Sequence, residues 1–218
     1  MKTRTYASID GNEAVAKVVY PLNEVIAIYP ITPSSPMAEW SDAWMSETKP
    51  NIWRTVPLVV QFQSEGGVAG AVHGALQKGT DYHIYSVSGI NVDAAEYVQD
   101  CGRSRYNISY CGAIARSPSF IIFGDHTDVM AARSTGFAML CAASVQEAQD
   151  FTLISTRATL ESRIPFLHFF DGVRTSHEVD KVETLTTEDL QKFIPIELVI
   201  AHRSRALTPD RPVLRGKS

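Results

Sequence analysis

The chain has 218 residues, 44% hydrophobic and 20% charged, with a formal charge of −4. That length supports one large domain with a real core, and the acidic balance, with no Lys/Arg cluster against it, excludes a general nucleic-acid surface. No apolar run nears the roughly 20 residues that span a bilayer, and MKTRTYASIDGNEA holds no apolar signal core, so a cytoplasmic protein without membrane contact is expected.

Strand-like and helix-like patterns alternate along the chain. Asp10 caps a helix through Tyr20, with Glu13 placed as in a capping box. VIAIY, from Val25 to Tyr29, reads as a buried parallel strand. Pro30 and Pro33 stop it, and Ser34 or Ser35 caps a helix beginning near Pro36. LVVQF, from Leu58 to Phe62, is the next strand. The helix after it carries Gly66, Gly67, Gly70 and Gly74, a composition that costs helix stability and so predicts close packing or close ligand approach. SFIIF, from Ser119 to Phe123, and IPFLHFF, from Ile164 to Phe170, read as further strands. Between them Ser144, with Glu147 at the third position, caps a helix through Ala158. This alternation predicts an α/β fold, a mainly parallel sheet with helices on both faces. Residues 1–200 form that domain. From Lys181 the pattern turns polar, and residues 201–218 read as a connector into further polypeptide.

Ligands of such sheets sit past the carboxyl ends of strands, where Thr32, Glu65, His126 and Asp171 all lie. Each has a plain structural reading. Glu65 is an acidic residue in a first helical turn, which the helix dipole favours on spacing alone. Thr32 is a turn hydroxyl. His126, in GDHTD, has no accompanying ligand set and reads as a loop histidine with a local hydrogen bond. His168, Asp171, Arg174, His177 and Glu178 read as a buried ion-pair corner. Cys101, Cys111 and Cys141 have no CxxC spacing, so neither a disulfide framework nor a cluster site is expected, and no metal site is predicted in this chain. GxGxxG, Walker and GxSxG motifs are absent.

Five long motifs, DGNEAVAKVVY, EVIAIYPITPSSPM, QSEGGVAGAVHGAL, FGDHTDVMAARSTGFAMLCAASVQEAQDF and FLHFFDGVRTSHEV, resemble the N-terminal domain of pyruvate:flavodoxin/ferredoxin oxidoreductases, especially the type associated with nitrogen fixation. The likeness covers residues 1 to about 80 and about 119 to 216. It implies the pyrimidine-binding type of thiamine diphosphate domain. It also implies an enzyme that oxidises pyruvate with coenzyme A to acetyl-CoA and CO2 and passes electrons to flavodoxin or ferredoxin, for example toward nitrogenase. By the same resemblance Glu65 bonds the aminopyrimidine ring and is the catalytic and cofactor-binding residue. A carboxylate there stabilises the protonated ring, so that its exocyclic nitrogen can take the thiazolium C2 proton. Thr32 of YPITPSS is implied to touch pyruvate. Magnesium, the diphosphate site and the [4Fe-4S] clusters are implied for polypeptide beyond this chain, and the full-length protein is implied to be a homodimer.

Between about Asp81 and Phe120 the likeness fails. The family has a stretch resembling TTTFTASQGLMLMLPNMYKIAG, where this chain has DYHIYSVSGINVDAAEYVQDCG. Codons GAC TAC CAC ATT TAC for Asp81 to Tyr85, read from the second base, give Thr-Thr-Thr-Phe, which predicts an out-of-frame stretch. DYHIYSVSG still alternates as a strand. INVDAAEYVQDCGRSRYN is too acidic to bury, since Asp93, Glu96 or Asp100 left unpaired would cost several kcal/mol each. The family's arginine for the pyruvate carboxylate falls on Ala113. Arg116, three positions on, is the remaining candidate for that contact, against the plainer reading of a solvent-facing arginine. With half a site, the 218 residues alone are expected to be inactive. The alternatives are a non-catalytic remnant, or a subunit of a multi-subunit 2-oxoacid:ferredoxin oxidoreductase.

Overall fold

The Asp10 carboxylate accepts from the Glu13 amide at 2.8 Å and starts helix α1, Gly11–Leu22, as its capping spacing predicts. The computed structural model describes residues 4–77, 82–85, 107–109, 126, 129–130, 132–206 and 208–209. Strand β1 is Tyr6–Ile9 and β2 is Val25–Ile28. Helix α2 is Ser35–Ser46, β3 is Leu58–Gln61 and α3 is Glu65–Gln77. Strands β4, Tyr82–Tyr85, and β5, Asn107–Ser109, follow. A 3-10 turn at Ala132–Thr135 leads to β6, Ala138–Ala142. Helix α4, Val145–Ser162, is capped by Ser144, whose hydroxyl accepts from Glu147 N at 3.2 Å while the Glu147 carboxylate accepts from Ala143 N at 2.8 Å. Strand β7 is Phe166–Phe170, and the chain continues through α5, Arg174–His177, and β8, Asp180–Glu183. Helices α6, Thr187–Phe193, and α7, Ile196–Arg203, come last, so helix runs past the expected boundary at residue 200.

Two parallel three-stranded sheets, β3-β2-β4 and β5-β7-β6, lie side by side with β4 next to β5. Strand alternation sends Ile26, Ile28, Val59, Ala142 and Phe170 to one face, where they pack with Val15, Val19 and Tyr20 of α1, Met37 and Trp44 of α2, and Ala148 of α4. Ala27, Leu167 and Phe169 point the other way, onto Val68, Val72 and Leu76 of α3. Each buried aliphatic or aromatic side chain contributes about 1.5–3 kcal/mol, so both faces of the sheet are strongly driven. The expected α/β arrangement with helices on both faces is present. The antiparallel pair β1-β8 closes one side over Ala14 and Val145, and α6 and α7 cover α1 and α4 through Leu190, Ile194 and Val199.

The expected strand at 119–123, the stretch 90–106, and Arg116, Cys101 and Cys111 lie outside the described residues. The DYHIY segment does form a strand, pairing with β2 from Val25↔Tyr82 to Ile28↔Tyr85. The remaining cysteine, Cys141, is a free, exposed thiol, raised above its ordinary pKa by partial burial and then by the nearby Asp171 and Glu147 carboxylates.

Candidate active site

The loops after β2 and β3 carry the candidate residues. The parallel register pairs Ile28 with Gln61, and Phe62 N donates to Ile28 O at 2.8 Å. Thr32 and Glu65 each lie four residues beyond those paired ends, on the same carboxyl edge of one sheet.

The loop at Thr32 is held tightly. Ile31 O accepts from Ser34 N at 3.0 Å, Ser35 N at 2.9 Å and the Ser34 hydroxyl at 2.9 Å. Pro33 O accepts from Asn12 Nδ2 at 2.9 Å, and Asn12 and Ser34 are both fully buried. The Thr32–Pro33 peptide is cis. Between these two pinned carbonyls Thr32 itself is exposed, and no described group bonds its hydroxyl.

Helix α3 begins with Ser64, whose hydroxyl accepts from Gly67 N at 3.1 Å. Ser64 therefore supplies the N-terminal hydrogen bond, and Glu65, the first helical residue, is left over. Its half-buried carboxylate has no hydrogen-bond or ion-pair partner among the described residues. The helix dipole favours an anion there, but capping does not require this one. Val68, Val72 and Leu76 anchor the helix to the sheet. Gly66, Gly70 and Gly74 lie two residues, about 200° of helix, away from them. They are exposed, and an added Cβ at any of the three would meet nothing within 4 Å among the described residues. Close packing against the described residues thus does not account for these glycines.

The other candidates separate from this pair. His168 is no member of an ion-pair corner. It points under α4, between Phe151 and Phe170, because strand alternation carries it to the α1/α4 face while Asp171 lies past the strand end. Thr152 Oγ1 donates to Ala148 O at 2.7 Å and so is left to accept from His168 Nδ1 at 3.2 Å. That fixes the tautomer with a bare Nε2, which is buried without a partner among the described residues. Burial pushes the His168 pKa down to about 3, so the ring is neutral. Arg174, His177 and Glu178 are exposed, and among the described residues they form no ion pair with one another. Asp171 Oδ1 is buried without a partner among the described residues. His126 packs edge-on against Phe169 at 5.1 Å, and its Nε2 is buried with no partner among the described residues, while the neighbouring Asp125 and Asp128 lie outside them. Among the described residues no group of three or more His, Cys, Asp or Glu is placed to hold a metal, and no helix is long and apolar enough to cross a membrane.

A family model described as pyruvate flavodoxin/ferredoxin oxidoreductase, thiamine diphosphate-binding, matches residues 17–88 and 113–218. The chain belongs to this family. Thr32 and Glu65 fall inside the match. Residues 89–112 fall outside it, within the stretch where the sequence likeness fails. A pyruvate-flavodoxin oxidoreductase of Trichormus variabilis is 69% identical over 218 residues, covering 99% of this chain and 18% of that protein. A probable pyruvate-flavodoxin oxidoreductase of Escherichia coli is 49% identical over 213 residues, again 18% of its length. The chain thus spans under a fifth of these two oxidoreductases. A structure of the 2-oxoglutarate:ferredoxin oxidoreductase of Magnetococcus marinus, with 2-oxoglutarate, coenzyme A and succinyl-CoA bound, superposes with a TM-score of 0.62. It shares 15% identity and covers 85% of this chain and 32% of that one, a likeness of fold.

Sequence reasoning missed two residues of this oxidoreductase domain. Ser64 was visible as a cap three positions before Gly67. Asn12, the donor to Pro33 O, acts across 21 residues and carries no local signal.

Proposed function

We propose that this chain is the N-terminal part of a pyruvate:flavodoxin/ferredoxin oxidoreductase and contributes the pyrimidine side of a thiamine diphosphate site. The uncommitted carboxylate of Glu65, beside a cap that Ser64 already supplies, carries the reading. Thiamine diphosphate supplies the nucleophilic carbon that makes loss of CO2 from a 2-oxoacid feasible. Glu65 would hold a proton on the aminopyrimidine nitrogen, and Thr32 would donate its hydroxyl to a pyruvate oxygen. The acetyl group goes to the thiol of coenzyme A, and the electrons go to flavodoxin or ferredoxin. Magnesium, the diphosphate contacts and [4Fe-4S] clusters belong to polypeptide beyond these residues, as does the dimer contact of a full-length homodimer in the cytoplasm. Electron supply to nitrogen fixation is the role we assign to the whole enzyme.

We further propose that residues 81–120 include an out-of-frame stretch; the omission of 89–112 from the family match favours it, while the match of 81–88 and 113–120 does not. Reading the gene tests this: the second frame after Thr80 should read TTTFTASQG, and any other reading removes the idea. Arg116 is the candidate for the carboxylate contact only if the gene keeps the present frame.

The activity is tested by pyruvate- and coenzyme A-dependent reduction of a viologen dye. The full-length polypeptide should turn over only with thiamine diphosphate, and the 218 residues alone should not. Turnover by the short chain would contradict the half-site reading.

A further inference from the structure

We infer that Asn12 is a positioning residue that sets Thr32 for the substrate, by holding the Pro33 carbonyl from the first turn of α1. The inference rests on the reading of Thr32 as the pyruvate contact. The geometry is a bracket. On one side of Thr32 the Ile31 carbonyl is fixed by three donors from Ser34 and Ser35. On the other side the Pro33 carbonyl is fixed by Asn12 Nδ2 at 2.9 Å. The two anchors leave the intervening backbone little freedom, while the Thr32 side chain stays exposed. Ser34 already ties the loop to the start of α2 by donating to Ile31 O. The second anchor, a fully buried amide reaching across from another helix, adds orientation, and orientation of a contact group is what a substrate site needs.

Asn12 is itself immobilised. It follows Gly11, where an added Cβ would lie 2.3 Å from Thr175 O and 2.9 Å from Thr175 C. The start of α1 is therefore pressed directly on the backbone of α5, beyond the end of β7. The bracket ties the Thr32 loop of one sheet to the segment that follows β7 of the other. Asn12 precedes the residues matched by the family model, so nothing in that match assigns it a part.

The test is a double-mutant cycle in the full-length oxidoreductase, read by pyruvate KM, kcat and thiamine diphosphate affinity. Asn12→Ala should raise the pyruvate KM about tenfold, the scale of one lost buried hydrogen bond, with kcat and cofactor affinity within about threefold. Thr32→Val should raise the KM to a similar degree. In the Thr32→Val background, Asn12→Ala should add no further increase, because the loop then positions nothing. Asn12→Gln, which keeps the amide, should restore part of the loss. If Thr32→Val leaves the KM unchanged, the substrate reading of Thr32 fails and this inference falls with it. If Thr32→Val raises the KM but Asn12→Ala does not, or if the two effects add, only the positioning part is overturned. Should Asn12→Ala not fold, Asn12→Ser is read in the same way, and failure of both to fold also overturns it.

Discussion

The loops after β2 and β3 start from paired residues of neighbouring strands and end in helices, yet they are built to opposite plans. The Thr32 loop is pinned at both flanking carbonyls, and its helix α2 packs Met37, Ala38 and Trp44 into the core. The Glu65 turn is held by one serine, and its helix turns three glycines to where the described residues leave room. A small substrate is gripped best by a fixed loop. A large cofactor, shared with polypeptide outside these residues, needs an open face and a carboxylate not committed to its own helix. On the roles proposed for Thr32 and Glu65, the difference teaches that rigidity and openness are distributed along one sheet edge according to what each loop would meet.

The comparison breaks most visibly at Glu65. Glu65→Gln in the full-length enzyme keeps the shape and the Ser64 cap but loses the charge. It should lower kcat by about 10²–10⁴-fold with little change in melting temperature. An unchanged kcat would return Glu65 to a plain first-turn acid. The rigid side breaks next at Gly11. Gly11→Ala drives a Cβ against the Thr175 carbonyl and should destabilise the fold by about 1–3 kcal/mol, read by denaturant unfolding, with the Thr32 loop loosened first.

A titration separates the buried face from the open one. The folded His168 pKa, about 3, lies below its ordinary value of 6.5. Above pH 6.5 both folded and unfolded forms carry a neutral ring, and this residue makes stability independent of pH. Between 6.5 and about 3 only the unfolded form takes up the proton, so stability falls as pH falls, by a few kcal/mol in all. His168→Phe should flatten that part of the pH profile. A wild-type stability that holds level from pH 6.5 to 4 would contradict the buried neutral ring.

The smallest expected effect is on the open side. Gly70→Ala or Gly74→Ala places a methyl where the described residues leave room. Each should raise the helix propensity of α3 by about 1 kcal/mol in the 218-residue chain. In the full-length protein the same change should lose that gain if the rest of the polypeptide packs there.

Much of this was legible from local chemistry. Asp10 before Glu13 and Ser144 before Glu147 announced α1 and α4, because each cap accepts from the amide three residues on, although the Glu13 carboxylate pairs with Lys17 instead of reaching back to the cap. The continuous apolar runs around Ile26 and Leu167 announced buried parallel strands. What stayed hidden depends on distance along the chain. β1 and β8 pair across more than 170 residues, and neither segment is distinctive alone. The polar stretch after Lys181 hid α6, although Thr186 and Asp189 form a capping box there. His168 looked like a partner for Asp171 and Arg174 because sequence neighbours alternate faces in a strand, which periodicity tells only once the strand is placed. At the site, family likeness singled out Thr32 and Glu65, whereas Asn12 could be found only in three dimensions.

The most direct measurement of the central claim is the rate at which enzyme-bound thiamine diphosphate exchanges its C2 proton with deuterated water, in the full-length protein with and without Glu65→Gln. The account predicts that the variant still binds the cofactor but exchanges at least about 100-fold more slowly. Equal exchange rates with the cofactor bound in both would contradict it.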